Sequence, residues 1–169
     1  AVLEMGMNGF REIAYLTDIA KPDAAVIVNI GTMHIEHLGS REGILQAKLE
    51  ILEGLKPGGK AYLNGDDDML WGSRQNLGRR VAYFGRENTD ADLRARMLSG
   101  QPGNLAFQVA TEDDVFTVEL PLEGEHYIPD ALAAISIGLH FGVAPQRIRQ
   151  RLSQFKNMEG RQEIFAAKG

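Results

Sequence analysis

Apolar and polar positions along the chain change period several times, and each change predicts an element. Residues 24–30, Ala-Ala-Val-Ile-Val-Asn-Ile, form a nearly unbroken apolar run. Such a run suits a strand buried on both faces of a parallel sheet. Residues 60–64 and 80–85 repeat that signature, and residues 1–4 resemble the end of another strand. Between them the period shifts towards 3.6. Phe10, Ile13, Leu16 and Ile19 predict a helix over 10–20, and Ile44, Ile51, Leu52 and Leu55 predict one over 40–55. Ser40 is placed to cap the second helix, and Pro57-Gly58-Gly59 ends it. Pro22-Asp23 marks a turn, residues 31–39 read as a loop, and Asp66-Asp67-Asp68 opens a short helix. Strands alternating with helices predict an α/β fold, a mostly parallel sheet with flanking helices.

From residue 91 the period falls to two. Leu105, Phe107 and Val109 alternate with polar neighbours, as do Phe116, Val118 and Leu120. Segments 92–99, 104–111 and 114–120, with turn residues between them, predict a small antiparallel β meander. Helical spacing returns over 130–141, with Asp130 as the expected N-cap, and again from Pro145 to Leu152. The expected organisation is an α/β core from 1–90 and 121–169, with 91–120 as an antiparallel β subdomain. The chain begins on the tail of a strand, and 163–169 read as a strand cut before a turn. We therefore expect a piece of a longer protein.

Composition narrows the classes. The 169 residues carry a net charge of −5 and no cysteine. The charge argues against a general nucleic-acid binder. Lack of cysteine excludes disulfides, thiolate metal sites and cysteine nucleophiles, and fits a reducing compartment. No apolar run approaches the roughly 18–20 residues that span a membrane. No Gly-x-x-x-x-Gly-Lys-Ser/Thr phosphate loop occurs in these residues.

The candidate chemistry centres on Lys48. It follows Ile44 by four residues and precedes Ile51 by three and Leu52 by four, so it shares their apolar helix face. Two readings fit. Its stem covers the core while the ammonium reaches water, or the amine is buried and chemically altered at a site. Ligands of parallel α/β sheets gather at the carboxyl ends of strands. Glu4 ends the first expected strand and His34 lies in the loop after the second, so Glu4, His34 and Lys48 are expected to converge on one edge. A carboxylate and an imidazole there suit a divalent cation. Equally, Glu4 reads as a solvated carboxylate and His34 as a loop histidine bonded to backbone, with Glu36 and His37 as neighbouring alternatives. Asp66 to Asp68 read as an acidic capping turn before a metal site, and His126 as a structural histidine.

One resemblance spans the chain. Glu4-Met-Gly-Met-Asn8, Asn29-Ile-Gly-Thr-Met-His-Ile-Glu36, Gly39-Ser40, Ala47-Lys-Leu-Glu-Ile51, Asn64-Gly-Asp66, Ala131-Leu-Ala-Ala134 and Gly160-Arg161 occur in order. Together they resemble the central ATPase domain of the Mur ligases, a P-loop-type fold. They favour the branch that adds D-alanyl-D-alanine to a UDP-N-acetylmuramoyl-tripeptide over other Mur ligases and folylpolyglutamate synthetases. The resemblance implies an ATP-dependent carbon–nitrogen ligase of peptidoglycan synthesis in the bacterial cytoplasm. In it ATP phosphorylates the tripeptide carboxylate, and the dipeptide amine attacks the acyl phosphate. It further implies that Glu4 and His34 hold Mg²⁺, that Lys48 is carbamylated and joins the metal site, and that His34 and Lys48 are catalytic. Asp130 and Arg161 would contact the nucleotide.

Departures are Asp130 and Tyr127 where the family pattern has asparagine, and Arg11 where glycine is common. The resemblance also implies a phosphate-loop strand before Glu4 and domains on either side. The fragment alone is therefore expected to be inactive, and to dimerise or exchange strands through open sheet edges. The alternatives are another amide ligase of this type or a non-catalytic binding domain derived from one.

Overall fold

The structure, a computed structural model, describes residues 1–78, 80–101 and 103–156. Among them six strands form one sheet in chain order: β1 (Ala24–Ile27), β2 (Lys60–Asn64), β3 (Val81–Gly85), β4 (Leu93–Gln101), β5 (Asn104–Ala110) and β6 (Val115–Leu120). The first three pair in parallel, and β4 joins β3 in parallel through Phe84↔Leu93 and Gly85↔Arg94. From β4 onward the pairing is antiparallel. The meander thus extends the same sheet.

Alternation along the strands decides what each face meets. Ile27, Leu63 and Tyr83 point to one face, where they pack with Met7, Ile13, Leu38, Ile44, Ala47 and Leu70. Those partners come from α1 (Glu12–Ala20), α2 (Ile35–Leu38), α3 (Arg41–Leu49) and α4 (Asp68–Gly72), and from the segment before α1. Phe84, Leu93, Ala95, Phe107, Val109 and Val118 point to the other face. There they meet Ile128, Leu132 and Ile135 of α5 (Ile128–His140) and Ile148 of α6 (Pro145–Ser153). The result is three layers with two cores. No helix among the described residues is long and apolar enough to cross a membrane.

Several expectations hold at residue level. The strand at 60–64 is Lys60–Asn64, and Ser40 caps α3 by accepting from the Gly43 amide at 3.2 Å. Gly43 itself is required, because a Cβ there would lie 2.1 Å from the Leu38 carbonyl oxygen. Others need correction. Residues 1–4 form no strand. Val2 and Leu3 are 97% and 64% exposed, and no described strand lies beyond β1 to pair with them. The strand at 24–30 ends at Ile27, and the 31–39 loop contains α2. Asp130 is not an N-cap. The helix starts at Ile128 with Pro129 in its first turn, so Asp130 sits inside that turn. The expected strand at 163–169 lies outside the described residues.

Candidate functional site

Side chains hold the exit of β1 from three directions. Lys48, on the last turn of α3, donates from Nζ to the Asn29 carbonyl at 2.7 Å. Asp67, the N-cap of α4, accepts from the Ile30 amide at 2.7 Å through Oδ2. Its Oδ1 accepts from Met69 and Leu70 at 3.1 and 3.0 Å. Arg41, at the start of α3, donates to the Ile30 carbonyl at 3.2 Å and pairs with Asp68 at 2.6 Å. These bonds explain why β1 stops at Ile27. The polar groups of Asn29 and Ile30 go to side chains instead of the ladder.

Lys48 is half-buried. Desolvation lowers its pKa below the ordinary lysine value, and the neighbouring Asp67 carboxylate opposes that shift. The helix face therefore carries a lysine that is neither free in solvent nor ion-paired in the ordinary way. Its amine is directed at a backbone carbonyl at the carboxyl end of a parallel strand.

His34 follows in the same loop. It is half-buried and left-handed, with φ 65° and ψ 18°, and its carbonyl accepts the first amides of α2. Histidine is among the residues that tolerate this conformation. Glu36 and His37 are exposed and lie 3.9 Å apart. Glu4 is exposed in the irregular segment leading to α1. Among the described residues no three His, Asp or Glu side chains come together to enclose a cation. Glu4 and His34 offer one carboxylate and one imidazole, and Mg²⁺ asks for few protein groups beside water and phosphate oxygens.

The acidic turn divides into three roles. Asp67 caps α4, as the capping reading expects, and also holds Ile30. Asp68 pairs with Arg41, whose guanidinium keeps that carboxyl below the usual carboxylate range. Asp66 accepts from the successive amides of Arg86, Glu87 and Asn88 at 2.6, 3.0 and 2.8 Å, which fixes the loop after β3. Arg86 of that loop pairs with Glu125, and so ties it to the lead-in of α5.

That lead-in runs into the helix bearing Asp130, the expected nucleotide contact among the described residues. His126 stacks on Tyr127 with ring centroids 4.3 Å apart. Asp130 lies a few residues on, in the first turn of α5. Partial desolvation raises its carboxyl above the usual range, and His126 works against that shift. Arg161 lies outside the described residues.

Sequence reasoning missed Arg41, Asp67 as a holder of Ile30, and Glu50. Glu50 is buried, and its carboxylate accepts from the Arg11 amide at 2.7 Å and the Ala14 amide at 3.2 Å. A usable signal was present. No Ser, Thr or Asp stands next to the start of α1, so its amides need a partner from elsewhere. Arg11, where the family resemblance leads one to expect glycine, has φ 72°. That conformation is what favours glycine there.

Comparison with known proteins gives a consistent result. The sequence profile of the Mur ligase middle domain matches residues 1–138. The UDP-N-acetylmuramoyl-tripeptide–D-alanyl-D-alanine ligase of Bacillus subtilis is 39% identical over 165 residues, covering 98% of this chain and 35% of the relative. The crystal structure of MurF from Acinetobacter baumannii superposes with a TM-score of 0.88 at 33% identity, covering 99% of this chain and 36% of that one. MurF ligase from Thermotoga maritima, solved in complex with ADP, gives 0.79 at 27% identity over 95% of this chain and 36% of its own. The chain thus spans about a third of the length of the relatives it matches.

Proposed function

Because the chain belongs to the Mur ligase family, through its middle domain, we propose that its parent protein is an ATP-dependent ligase. In this reading it joins D-alanyl-D-alanine to the terminal carboxylate of a UDP-N-acetylmuramoyl-tripeptide in the cytoplasm of a bacterium, during peptidoglycan synthesis. The observation that carries the reading at this site is Lys48. It is half-buried with a lowered pKa, and its amine lies against the Asn29 carbonyl at the carboxyl end of β1.

Burial raises the neutral fraction of that amine, the form that adds CO₂ to give a carbamate. Carbamylation exchanges a costly cation for an anion in a half-buried place. Glu4 and His34 would hold Mg²⁺ together with that carbamate. Bound Mg²⁺ and ATP supply charge neutralisation and the phosphoryl group for activating the tripeptide carboxylate. Arg41 and Asp67 hold Ile30 so that the loop bearing His34 leaves β1 in a fixed direction. Asp130 would contact the nucleotide, and the family resemblance gives Arg161 the same role. An ionised Asp130 accepts hydrogen bonds but donates none, so base recognition here differs from that by asparagine.

The test uses the full-length parent. Phosphate release should require Mg²⁺, ATP, the UDP-linked tripeptide and D-alanyl-D-alanine together, with single amino acids failing as acceptors. Lys48→Ala should lower kcat at least roughly a hundredfold, the scale of losing one preorganised electrostatic group. A ¹³C carbamate signal from ¹³CO₂ should disappear with it. Preference for a single amino acid as acceptor would move the protein to another branch of the family. Full turnover by Lys48→Ala would remove Lys48 from the chemistry. The isolated 169-residue piece is expected to show no turnover and to self-associate, which light scattering checks.

A further inference from the structure

Glu50 lies two residues after Lys48, where α3 tightens into a 3₁₀ turn. It is 6% exposed, and both of its carboxylate oxygens are directed at the start of α1. That start has no cap of its own. Arg11 occupies the N-cap position in a left-handed conformation, and its side chain accepts none of the orphan amides. Glu50 replaces the missing cap from 39 residues away through the Arg11 amide, and from 36 away through that of Ala14. A carboxylate at a helix N-terminus also complements the positive end of the helix dipole.

The contact belongs to a seam. Arg11 pairs with Glu53 at 2.8 Å. Gly54 lies so close to α1 that a Cβ would meet the Thr17 Cβ at 2.4 Å and its carbonyl oxygen at 2.6 Å. At the far end of α1 the Lys56 amide donates to Pro22 and its Nζ pairs with Asp23. Upstream of α1, Met7 is buried in the same core cluster as Ile13 and Ile44, and the Asn8 amide donates to Glu12. One stretch of chain, 48–56, therefore holds the exit of β1 through Lys48 and the entrance to α1 through Glu50. The Glu4 segment feeds into that entrance.

We infer that Glu50 is a positioning residue. By holding the left-handed turn at Arg11 it sets the Glu4 segment, through buried Met7, in register with Lys48. The inference rests on the reading of Glu4 and Lys48 as parts of one site.

Glu50→Gln in the full-length protein tests it. The amide keeps one acceptor but presents a donor to a backbone N–H. By hydrogen-exchange mass spectrometry, peptides covering residues 8–14 should exchange at least roughly tenfold faster, the scale of losing one charge-assisted bond. Peptides from β5 and β6 should not change. The Mg²⁺ concentration for half-maximal ligation should rise by a similar factor, while the KM for D-alanyl-D-alanine stays constant. Arg11→Gly in the Glu50→Gln background should restore most of both, because glycine adopts the left-handed turn without support.

A lowered melting temperature with unchanged Mg²⁺ dependence and evenly raised exchange would reduce Glu50 to a stabilising residue and overturn the inference. Failure of Arg11→Gly to rescue would do the same. A wild-type protein without Mg²⁺-dependent ligation sinks the functional reading instead, and with it the link from Glu50 to the site.

Discussion

The sheet has a parallel half and an antiparallel half, and they divide the labour. In the parallel half β1 to β3 all leave at the same edge, so their exit loops lie side by side. There Lys48, Asp67 and Arg41 hold the loop after β1, and Asp66 holds the loop after β3. In the antiparallel half β5 and β6 run back and forth. Phe107, Val109 and Val118 are fully buried on one side, while Arg94, Arg96 and Glu119 face out on the other. Parallel geometry accumulates loops that can carry chemistry. Antiparallel geometry returns the chain and spends its alternation on packing. Packing and the proposed chemistry thus fall in different halves of the sheet, and substitutions can push on each alone.

Phe107→Ala should do the most damage to stability. Removing a ring with no exposure from the α5-facing core should cost about 3–5 kcal/mol in urea unfolding. Full-length protein that still folds should keep the Mg²⁺ dependence proposed above. A shifted Mg²⁺ dependence would erase the division between halves. Gly54→Ala comes next, at about 1–3 kcal/mol from overpacking against Thr17. Thr17→Ala should not rescue it, since the Thr17 backbone is in the way as well as the side chain.

Asp67→Ala should cost about 1–2 kcal/mol by uncapping α4 and freeing the Ile30 amide. Loss of its charge should also lower the Lys48 pKa further. Faster reaction of Lys48 with an amine-directed reagent at fixed pH would report that.

The smallest effect is a pH dependence. Folding lowers the Lys48 pKa, so at pH values between the folded and unfolded values the unfolded chain binds more protons. Stability contributed at Lys48 therefore rises with pH across that window, up to about 10.4. Denaturant unfolding of Lys48→Met against wild type should show the gap shifting in favour of wild type from neutral to alkaline pH. A gap independent of pH would mean that Lys48 is solvated.

Local pattern made most of the fold legible. The run at 60–64, the alternation at 105–109 and Ser40 before its helix each depend on neighbours within a few residues. Illegible features were decided across the chain. Glu50 reaches α1 over 36 and 39 residues, and Asp67 reaches Ile30 over 37. No periodicity encodes such pairs. Asp130 resembles a cap in sequence, but the helix already starts at Ile128 with Pro129 in its first turn, and the strand-like 1–4 has no described strand beside it to pair with. At the site, Lys48 was visible as an apolar-face anomaly. The carbonyl it meets was not, because that depends on where β1 ends.

Strand order along the sheet matches order along the chain. Among the described residues every strand after β1 finds a partner in the strand before it, and none is threaded between two earlier ones. Assembly of this sheet can proceed like a zipper. Hairpins β4–β5 and β5–β6 close short loops and form early, while the β1–β2 and β2–β3 crossovers wait for their helices. On a ribosome, which delivers β1 before β6, each new strand would emerge beside the strand it pairs with.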